Sequence, residues 1–451
     1  MSKIITSQYD KMTKTPVPRL LVSLSIPTVI TMLISSIYNL ADTAFVGKLG
    51  NSASGAVGVV FGFMSILQAI GFFYGQGCGS ILSRELGAKK NDDASRTAST
   101  GFFLSLATST LVAILCKIFM NPVIHVLGST DTIAPYSKVY IGYILMAAPF
   151  IVASFTMNNI LRYEGKAALG AIAMLTGAIL NTIGDPILMF VFDMGIAGAG
   201  LSTAISQIIS FCILLSMFLR HKTQTRLSVK LITFDVKKIL NIMGTGLPSL
   251  LRQSLGSLSV VALNFLAKPY GDIAIAAMSI VSRITFFVFS VGLGIGQGFQ
   301  PISSFNYGAH KYKRVREAYK TAFVFSSTII AVLGIAVLIF SADLIQVFRD
   351  DQEVIRIGTR ALRLQIVALI TLPYCMVSEM LLQTTGRKAS ASFLSSVRSG
   401  LFFIPILFVA AYFRGLAGIQ EAQPIAYVVS VIPTYLIITR FMKNMPKEDE
   451  A

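Results

Sequence analysis

The chain has 451 residues, of which 54% are hydrophobic and only 13% are charged, and it carries a formal net charge of +17. Soluble domains contain roughly 25% charged residues, so this composition excludes an ordinary soluble fold. It indicates a protein that is embedded in a lipid bilayer.

Apolar windows of about 20 residues, the length that crosses a bilayer, recur along the whole chain. They are too long and too uniform to be the alternating strands of roughly ten residues that build membrane β-barrels. The sequence therefore predicts an all-α polytopic membrane protein with twelve transmembrane helices. The predicted spans are residues 20–46, 55–82, 97–119, 138–161, 167–191, 197–219, 240–266, 274–299, 320–341, 358–384, 391–413 and 422–442.

Most of the 38 Lys and Arg residues fall in the segments that these spans place on one side of the membrane. Because Lys and Arg are enriched on the cytoplasmic side, we expect both termini to be cytoplasmic. This distribution explains the positive charge without nucleic acid, which we do not expect as a partner. Anionic headgroups of membrane lipids are the expected neighbours of the basic loops.

The two halves of the chain repeat each other with a fixed offset. The segment GQGCGSILSRELGAKK at 75–90 matches GQGFQPISSFNYGAHK at 296–311 at half of its positions, with a shift of 221 residues that also places Pro27 on Pro248. Each copy contains six spans, so the copies enter from the same side and are parallel repeats related by an axis along the membrane normal. We predict an N-terminal lobe of residues 1–219, a cytoplasmic linker of 220–239 and a C-terminal lobe of 240–451.

Two facing lobes of this kind are suited to alternating access, in which the lobes rock about a cleft between them. A duplicated scaffold without a transport role is the alternative interpretation.

Two carboxylates break the symmetry of the repeat. Asp42 corresponds to Leu263 and Asp185 corresponds to Ile406, so only the N-terminal lobe carries these acids inside its spans. The span boundaries place Asp42 about 6 Å and Asp185 about 9 Å from the outer helix ends. A carboxylate at such a depth is costly unless it faces protein or water, and it is a candidate functional group.

Asn181 lies one helical turn from Asp185 on the same face, and Thr203 lies at a similar depth on the next span. Asp42, Asn181, Asp185 and Thr203 therefore share the outer half of one lobe. Their carboxylate, amide and hydroxyl oxygens suit either a hard cation such as Na⁺ or a shared proton. The structural alternatives are that Asp42 caps a helix end or pairs with Lys48, and that Asp185 only bonds Asn181.

Prolines lie close to both carboxylates. Pro186 directly follows Asp185, and Pro27 lies in the same span as Asp42. Each proline removes one backbone hydrogen bond from its helix, and membranes tolerate such breaks where neighbouring groups satisfy the freed carbonyl. Pro27 therefore marks either a functional bend of the first span or a static kink.

Other polar residues in the spans allow more than one interpretation. Tyr140, near the outer end of its span, either contacts a substrate or belongs to the aromatic belt, and the belt is the interpretation that we favour. Asn158 lies deep toward the cytoplasmic end, and the sequence does not identify its partner. In the C-terminal lobe, the residues that either pair with one another, which we favour, or line the cleft are Arg252, Arg283, Glu379 and Arg398.

The segments IPTVITMLISSIYNLADTAFVGKLG at 26–50, SRELGAKK at 83–90 and LNTIGDPILMFVFDMGIAGAGLSTAIS at 180–206, together with the duplication, resemble the MATE multidrug and toxin extrusion transporters. This resemblance covers nearly the whole chain. It implies a twelve-helix, two-lobe protein of a bacterial or archaeal cytoplasmic membrane that exports organic cations and other amphipathic compounds in exchange for H⁺ or Na⁺.

Within the family, the chain is most similar to the DinF-like and MepA-like branch. The resemblance to that branch implies a coupling-ion site at Asp42, Asn181, Asp185 and Thr203, an adjoining substrate cavity with Tyr140 and Asn158, and a first helix that bends at Pro27. The NorM-like branch carries an acid in its seventh or eighth helix, whereas residues 240–266 and 274–299 contain none. A second ion site in the C-terminal lobe is therefore not expected.

Competing functions lack their sequence signals. No G-x-x-x-x-G-K-[ST] phosphate-binding loop is present, so an ATP-driven pump is not expected. The three histidines lie in loops, and neither an HExxH nor a G-x-S-x-G motif occurs, so an enzyme is not expected either.

We expect a monomer that uses no cofactor except the coupling ion, H⁺ or Na⁺. The remaining alternative is a flippase for lipid-linked saccharides or other amphipathic lipids.

Overall fold

The structure of the protein, a computed structural model, describes residues 2–449. These residues form helices and connecting loops, and this part of the chain contains no β-strand. The predicted all-α class is therefore confirmed.

The helices follow one another with short connections, except where residues 220–235 join the two halves of the chain. The helices of the first half are α1 (Ser2–Lys14), α2 (Val17–Gly47), α3 (Asn51–Gly87), α4 (Asn91–Ile118), α5 (Met120–Val126), α6 (Ala134–Tyr163), α7 (Ala167–Pro186) and α8 (Gly195–Leu219). Those of the second half are α9 (Val236–Ala267), α10 (Gly271–Gly308), α11 (Tyr312–Ile339), α12 (Ser341–Phe348), α13 (Gln352–Leu369), α14 (Leu372–Thr384), α15 (Lys388–Ser396) and α16 (Phe403–Asn444).

Ten helical segments of the described chain are long and apolar enough to cross a membrane. An eleventh span consists of α13 and α14, which meet at an angle of 48°. The longest segment, Lys388–Asn444, contains the non-helical residue Gly415 (φ 57°, ψ −134°), which divides it into two spans. The twelve predicted transmembrane helices are thus accounted for.

Helix boundaries repeat with the offset seen in the sequence. Helix α4 spans residues 91–118 and α11 spans residues 312–339, a shift of 221 at both ends. Helices α7 and α15 begin at residues 167 and 388, which differ by the same number. The duplication predicted from sequence is therefore a duplication of structure.

The helices pack into two compact units. Unit 1 contains Ile30–Leu250 and the start of α1, and unit 2 contains Asp10–Val29 and the chain from Leu251 onward. Apart from the boundary within α1, the units divide inside two helices, just after Pro27 in α2 and just after Pro248 in α9. The first part of α2 therefore packs in unit 2, and the first part of α9 packs in unit 1. The division of the sequence into an N-terminal lobe of 1–219, a linker of 220–239 and a C-terminal lobe of 240–451 stays a prediction.

Small residues bring α3 and α6 of unit 1 close together. Gly71, Gly75 and Gly79 form one face of α3, and a Cβ atom on Gly71 would lie only 2.5 Å from Phe155 of α6. A Cβ atom on Gly79 would lie 2.3 Å from the ring of Tyr163. Membrane helices that approach closely use small residues at this four-residue spacing. The contact fixes the position of α6, which carries Tyr140.

A buried carboxylate fastens the segment between the halves to unit 1. Glu164 follows α6, and its side chain accepts hydrogen bonds from the backbone N–H groups of Gln224 (2.8 Å) and Thr225 (2.9 Å) and from the Thr225 hydroxyl. Burial raises the pKa of the Glu164 carboxyl above its ordinary value, while these hydrogen bonds oppose that shift.

Gly246 allows α9 to contact α3 within unit 1, because a Cβ atom at this position would lie 1.9 Å from the Phe73 carbonyl oxygen. We expect Gly246→Ala to lower the melting temperature of the purified protein. Overpacking costs about 1–3 kcal/mol, which exceeds the gain of about 1 kcal/mol from replacing glycine in a helix. Gly256→Ala is the matched control in the same helix, because no atom lies within 4 Å of its added Cβ. Equal melting temperatures for the two variants would contradict this packing.

Candidate functional site

Asn181 is the centre of a buried polar cluster between α7 and α8. Its Nδ2 donates to Asp185 Oδ1 at 2.9 Å and to Thr203 Oγ1 at 3.1 Å, and it lies 3.4 Å from Ser202 Oγ. The Ser202 hydroxyl in turn donates to the Asn181 carbonyl oxygen at 3.3 Å. Asn181 and Asp185 share a face because they are four residues apart on one helix. The predicted proximity of Asn181, Asp185 and Thr203 is therefore present.

Two glycines allow the helices around this cluster to approach each other. A Cβ atom on Gly184 would lie 2.6 Å from Ser202 Oγ, so its absence leaves room for the serine beside Asn181. A Cβ atom on Gly200 would lie 3.1 Å from the ring of Tyr140, so its absence lets α6 approach α8. The cluster thus depends on small residues at the helix contacts.

Tyr140 connects the cluster to Asp42. Its hydroxyl donates to Asp42 Oδ2 at 3.1 Å and lies 3.2 Å from Thr203 Oγ1, with either hydroxyl able to donate in the second contact. Its side chain is buried, with an exposed fraction of 2%. The interpretation of Tyr140 as a residue of the aromatic belt is therefore wrong. Hydrogen bonds now join α2, α6, α7 and α8 at one place.

Among the described residues, three acceptor oxygens of the cluster have no hydrogen-bond partner. They are Asp42 Oδ1, Asn181 Oδ1 and Asp185 Oδ2, and all three are buried. A buried acceptor without a partner costs about 1–3 kcal/mol, and more when it is charged. An arrangement with three such atoms is stable only when a cation, a proton or water satisfies them. The oxygen-only donor set fits a hard cation such as Na⁺ and equally fits protons held on the carboxylates.

Neither carboxylate forms an ion pair within the described residues. Lys48, the partner considered for Asp42, instead places its Nζ 6.0 Å from the centre of the Phe45 ring. The described ion pairs involve other acids, such as Glu379 and Glu421. The same part of the chain contains no cluster of three or more His, Cys, Asp or Glu side chains of the kind that holds a transition metal. The described side chains therefore place no positive charge in an ion pair with either carboxylate.

The structure does not bring Asn158 into the cluster. Asn158 lies 18 residues after Tyr140 on α6, which corresponds to about 27 Å along the helix axis. Its side chain packs against Gly170 near the start of α7, where an added Cβ would lie 2.1 Å from Asn158 Oδ1. Its assignment to a substrate cavity stays a prediction.

The two prolines have different surroundings. Pro27 lies inside α2, which continues as a helix from Val17 to Gly47. Pro186 ends α7 and is followed by a π-helical turn, Ile187–Val191. Such turns occur frequently at functional sites. The π-helical turn therefore lies directly beside Asp185.

Ser202 was missed by sequence reasoning. Its hydroxyl lies 3.4 Å from Asn181 Nδ2 and donates to the Asn181 carbonyl oxygen. The next residue, Thr203, accepts from the same Nδ2. Its only signal in the sequence is its position one residue before Thr203, and a serine within an apolar span usually bonds its own helix backbone.

In unit 2, Arg252 and Glu379 form a buried ion pair at 2.6 Å, and the hydroxyl of Ser395 donates to the same carboxylate oxygen at 2.6 Å. The favoured interpretation of pairing is confirmed for these two residues. Arg398 is also buried, but its guanidinium lies 5.4 Å from the centre of the Phe289 ring and forms no ion pair with a described carboxylate. Arg283 is exposed.

Comparisons with known proteins agree with this architecture. Residues 27–187 and 248–434 match the MatE family. The multidrug export protein MepA of Staphylococcus aureus (strain MSSA476) is 27% identical over 426 residues, which cover 94% of each chain.

Two solved structures have the same fold. One is an outward-facing conformation of a multidrug resistance MATE family transporter of the MOP superfamily, with a TM-score of 0.91, 24% identity and coverage of 97% and 98%. The other is a MOP superfamily transporter from Pyrococcus furiosus whose binding pocket of reversed polarity is said to suggest a different function, with a TM-score of 0.91, 23% identity and coverage of 96% and 98%.

We expect Asn181→Ala to lower the melting temperature of the purified protein. The substitution removes the donor to Asp185 and Thr203 and leaves buried acceptors without partners, at a cost of about 1–3 kcal/mol. Thr176→Ala is the control in the same helix, because the Thr176 hydroxyl bonds only its own backbone, at the Ile172 carbonyl oxygen (2.8 Å). Thermal unfolding of both variants tests this expectation, and an Asn181→Ala protein as stable as the control would contradict the cluster.

Proposed function

The chain belongs to the MatE family, and on that premise we propose that it is an ion-coupled antiporter that exports cationic or amphipathic drugs by alternating access. The observation that carries the proposal is the group of three unpartnered acceptor oxygens on Asp42, Asn181 and Asp185. These atoms need a positive charge or a proton, and no described side chain supplies one. A coupling ion, either H⁺ or Na⁺, is the component that completes the site.

Exchange follows from competition for the same negative charge. A bound ion contacts the unpartnered oxygens of Asp42, Asn181 and Asp185, and so connects α2 to α7. The Tyr140 hydroxyl already bonds to Asp42, and Asn181 to Asp185. An organic cation close to these carboxylates lowers their affinity for the ion by like-charge repulsion, and the bound ion lowers the affinity for the drug equally. The two species thus bind in turn rather than together, which is the requirement for antiport.

Alternating access requires part of the unit to change shape when the ion leaves. The helix that carries Asp42 also contains Pro27, two residues before the boundary between the packing units. Proline removes a backbone hydrogen bond and weakens the helix at that point. We assign Pro27 as the bend that lets the outer part of α2 respond to the occupancy of Asp42.

The expected location is a cytoplasmic membrane, with both termini on the cytoplasmic side, because the basic loops lie on one side. The described chain has enough apolar helices for a multi-pass protein. The two packing units together provide the whole proposed transporter, so a monomer is sufficient.

A flippase for lipid-linked saccharides is the second candidate, and one observation favours it. Arg398 is a buried cation that forms no ion pair with a described carboxylate, and an anionic lipid phosphate would neutralise it. Efflux that responds to neither ion gradient, together with movement of a lipid-linked saccharide across the bilayer, would support this function instead.

We expect reconstituted vesicles to expel ethidium when a pH gradient or a Na⁺ gradient is imposed, and Asp42→Asn to reduce this driven efflux roughly tenfold or more. A hydrogen bond or contact to a charged group contributes about 1.5–3 kcal/mol, and 1.4 kcal/mol is a factor of ten. Asp193→Asn is the control, because this aspartate is exposed and its positive φ of 53° is one that asparagine tolerates. Efflux that persists in Asp42→Asn would place the coupling site elsewhere.

We expect Pro27→Ala to raise the thermal stability of the protein and to slow driven efflux. Alanine restores the backbone donor and is about 3 kcal/mol more favourable than proline inside a helix, so α2 resists bending. Pro149→Ala in α6 is the control, because it makes the same chemical change in a helix without an assigned bend. Efflux at the wild-type rate in Pro27→Ala, measured in the same vesicles, would show that the kink is static.

A further inference from the structure

Unit 2 contains a cavity of about 430 Å³ at the helix ends that the basic loops assign to the cytoplasmic side. Residues of α11, α14 and α16 line it. We call it the basic groove and define it by Arg316, Tyr319, Tyr374, Ile438, Lys443 and Lys447. It is separate from the polar cluster, which lies entirely in unit 1.

The mouth of the basic groove is positively charged. Arg316, Lys443 and Lys447 line it, and none of the lining residues is acidic. The Arg316 side chain is held in place because its Nη2 donates to the carbonyl oxygens of Met442 (3.0 Å) and Met445 (2.6 Å) at the end of α16. Its Nε is buried and has no hydrogen-bond partner. The groove therefore presents a fixed guanidinium and two ammonium groups, and none of the three forms an ion pair with a described carboxylate.

The inner part of the basic groove is less polar. Tyr319 and Tyr374 line it, and the Tyr319 hydroxyl is already bonded to Ser378 Oγ at 2.8 Å. The buried side chain of Ile438 completes this part. A ligand that fits the whole groove has a negative head and an apolar portion next to it.

An exposed apolar stripe on α16 continues from the groove toward the middle of the membrane. Val428, Ile432 and Tyr435 have exposed fractions of 56%, 61% and 59%. Thr439 and Lys443 follow at the same three- or four-residue spacing, so they lie on the same helix face. The twelve residues from Ile432 to Lys443 span about 16 Å, close to half of the roughly 30 Å hydrocarbon core. The stripe has the length of one lipid acyl chain.

The duplication provides a comparison within the same molecule. The shift of 221 residues places Ser95 of unit 1 on Arg316, and Ala98 on Tyr319. In unit 1 this place is covered by the chain, because Ser95 Oγ accepts from the Arg226 backbone N–H at 3.2 Å and Ser99 Oγ donates to the Arg226 carbonyl oxygen at 2.9 Å. Arg316 and Tyr319 thus occur in the copy where no loop covers this place by these contacts.

We propose that the basic groove binds an anionic membrane phospholipid. Its phosphate lies among Arg316, Lys443 and Lys447, and one acyl chain lies along the stripe of Val428, Ile432 and Tyr435. Arginine and lysine are the side chains that recognise phosphate groups, and basic pockets between transmembrane helices on the cytoplasmic side bind such headgroups. The proposal does not depend on the transport function.

The test counts bound lipids by native mass spectrometry on the full chain in detergent, titrated with phosphatidylglycerol or phosphatidylcholine. The double variant Lys443→Gln/Lys447→Gln removes two charges at exposed positions. Lys222→Gln is the control, because it removes a charge at an exposed position just after α8, the last helix of the first half. Melting temperatures of all variants confirm that they are folded.

We expect the wild-type protein and Lys222→Gln to retain phosphatidylglycerol in preference to phosphatidylcholine. The double variant is expected to lose this preference by about tenfold or more, since each lysine contributes roughly fivefold near an anionic surface. Equal retention by the double variant and the wild type, or equal retention of both lipids by the wild type, would overturn the proposal. Competition by inorganic phosphate at the same concentration would also overturn it, because the ligand would then be a soluble phosphate.

Discussion

The constraint on which the site depends is the set of buried acceptor oxygens that accept no hydrogen bond from any described donor. Asp42, Asn181 and Asp185 each contribute one such atom, while their other polar contacts are satisfied by Tyr140 and Asn181 itself. In a membrane interior, unsatisfied polar groups are costly because water is scarce. On the proposed function, a cation or proton that satisfies these oxygens stabilises the state that binds it, and this free energy drives the conformational change.

The carboxylates of the site occur in only one of the two copies of the duplicated fold. The two copies keep the same helix boundaries, offset by 221 residues, yet Leu263 and Ile406 occupy the positions that correspond to Asp42 and Asp185. Unit 2 instead buries the ion pair of Arg252 and Glu379, which satisfies its own charges. The two carboxylates of the site therefore occur in only one of the two copies.

Much of this architecture is readable in the sequence because its signals are strong. Long apolar windows predicted the helices, and the residue spacing predicted that Asn181 and Asp185 meet. Tyr140 was misassigned to the aromatic belt because spacing along one helix does not show which neighbour covers a side chain. The close approach at Gly200, which brings α6 to α8, decides that point. Nor does the sequence show that Arg252 pairs with Glu379 while Arg398 pairs with no described carboxylate, since both depend on contacts between distant helices.

The most direct measurement is the release of ions when ethidium binds to the solubilised protein in weakly buffered solution, followed with a pH indicator and a Na⁺ electrode. The account predicts that dye binding to the wild type releases H⁺ or Na⁺ in proportion to the dye bound, and that Asp42→Asn binds dye with little release. Dye binding by the wild type without release of either ion would contradict the claim that the cluster around Asn181 holds the coupling ion.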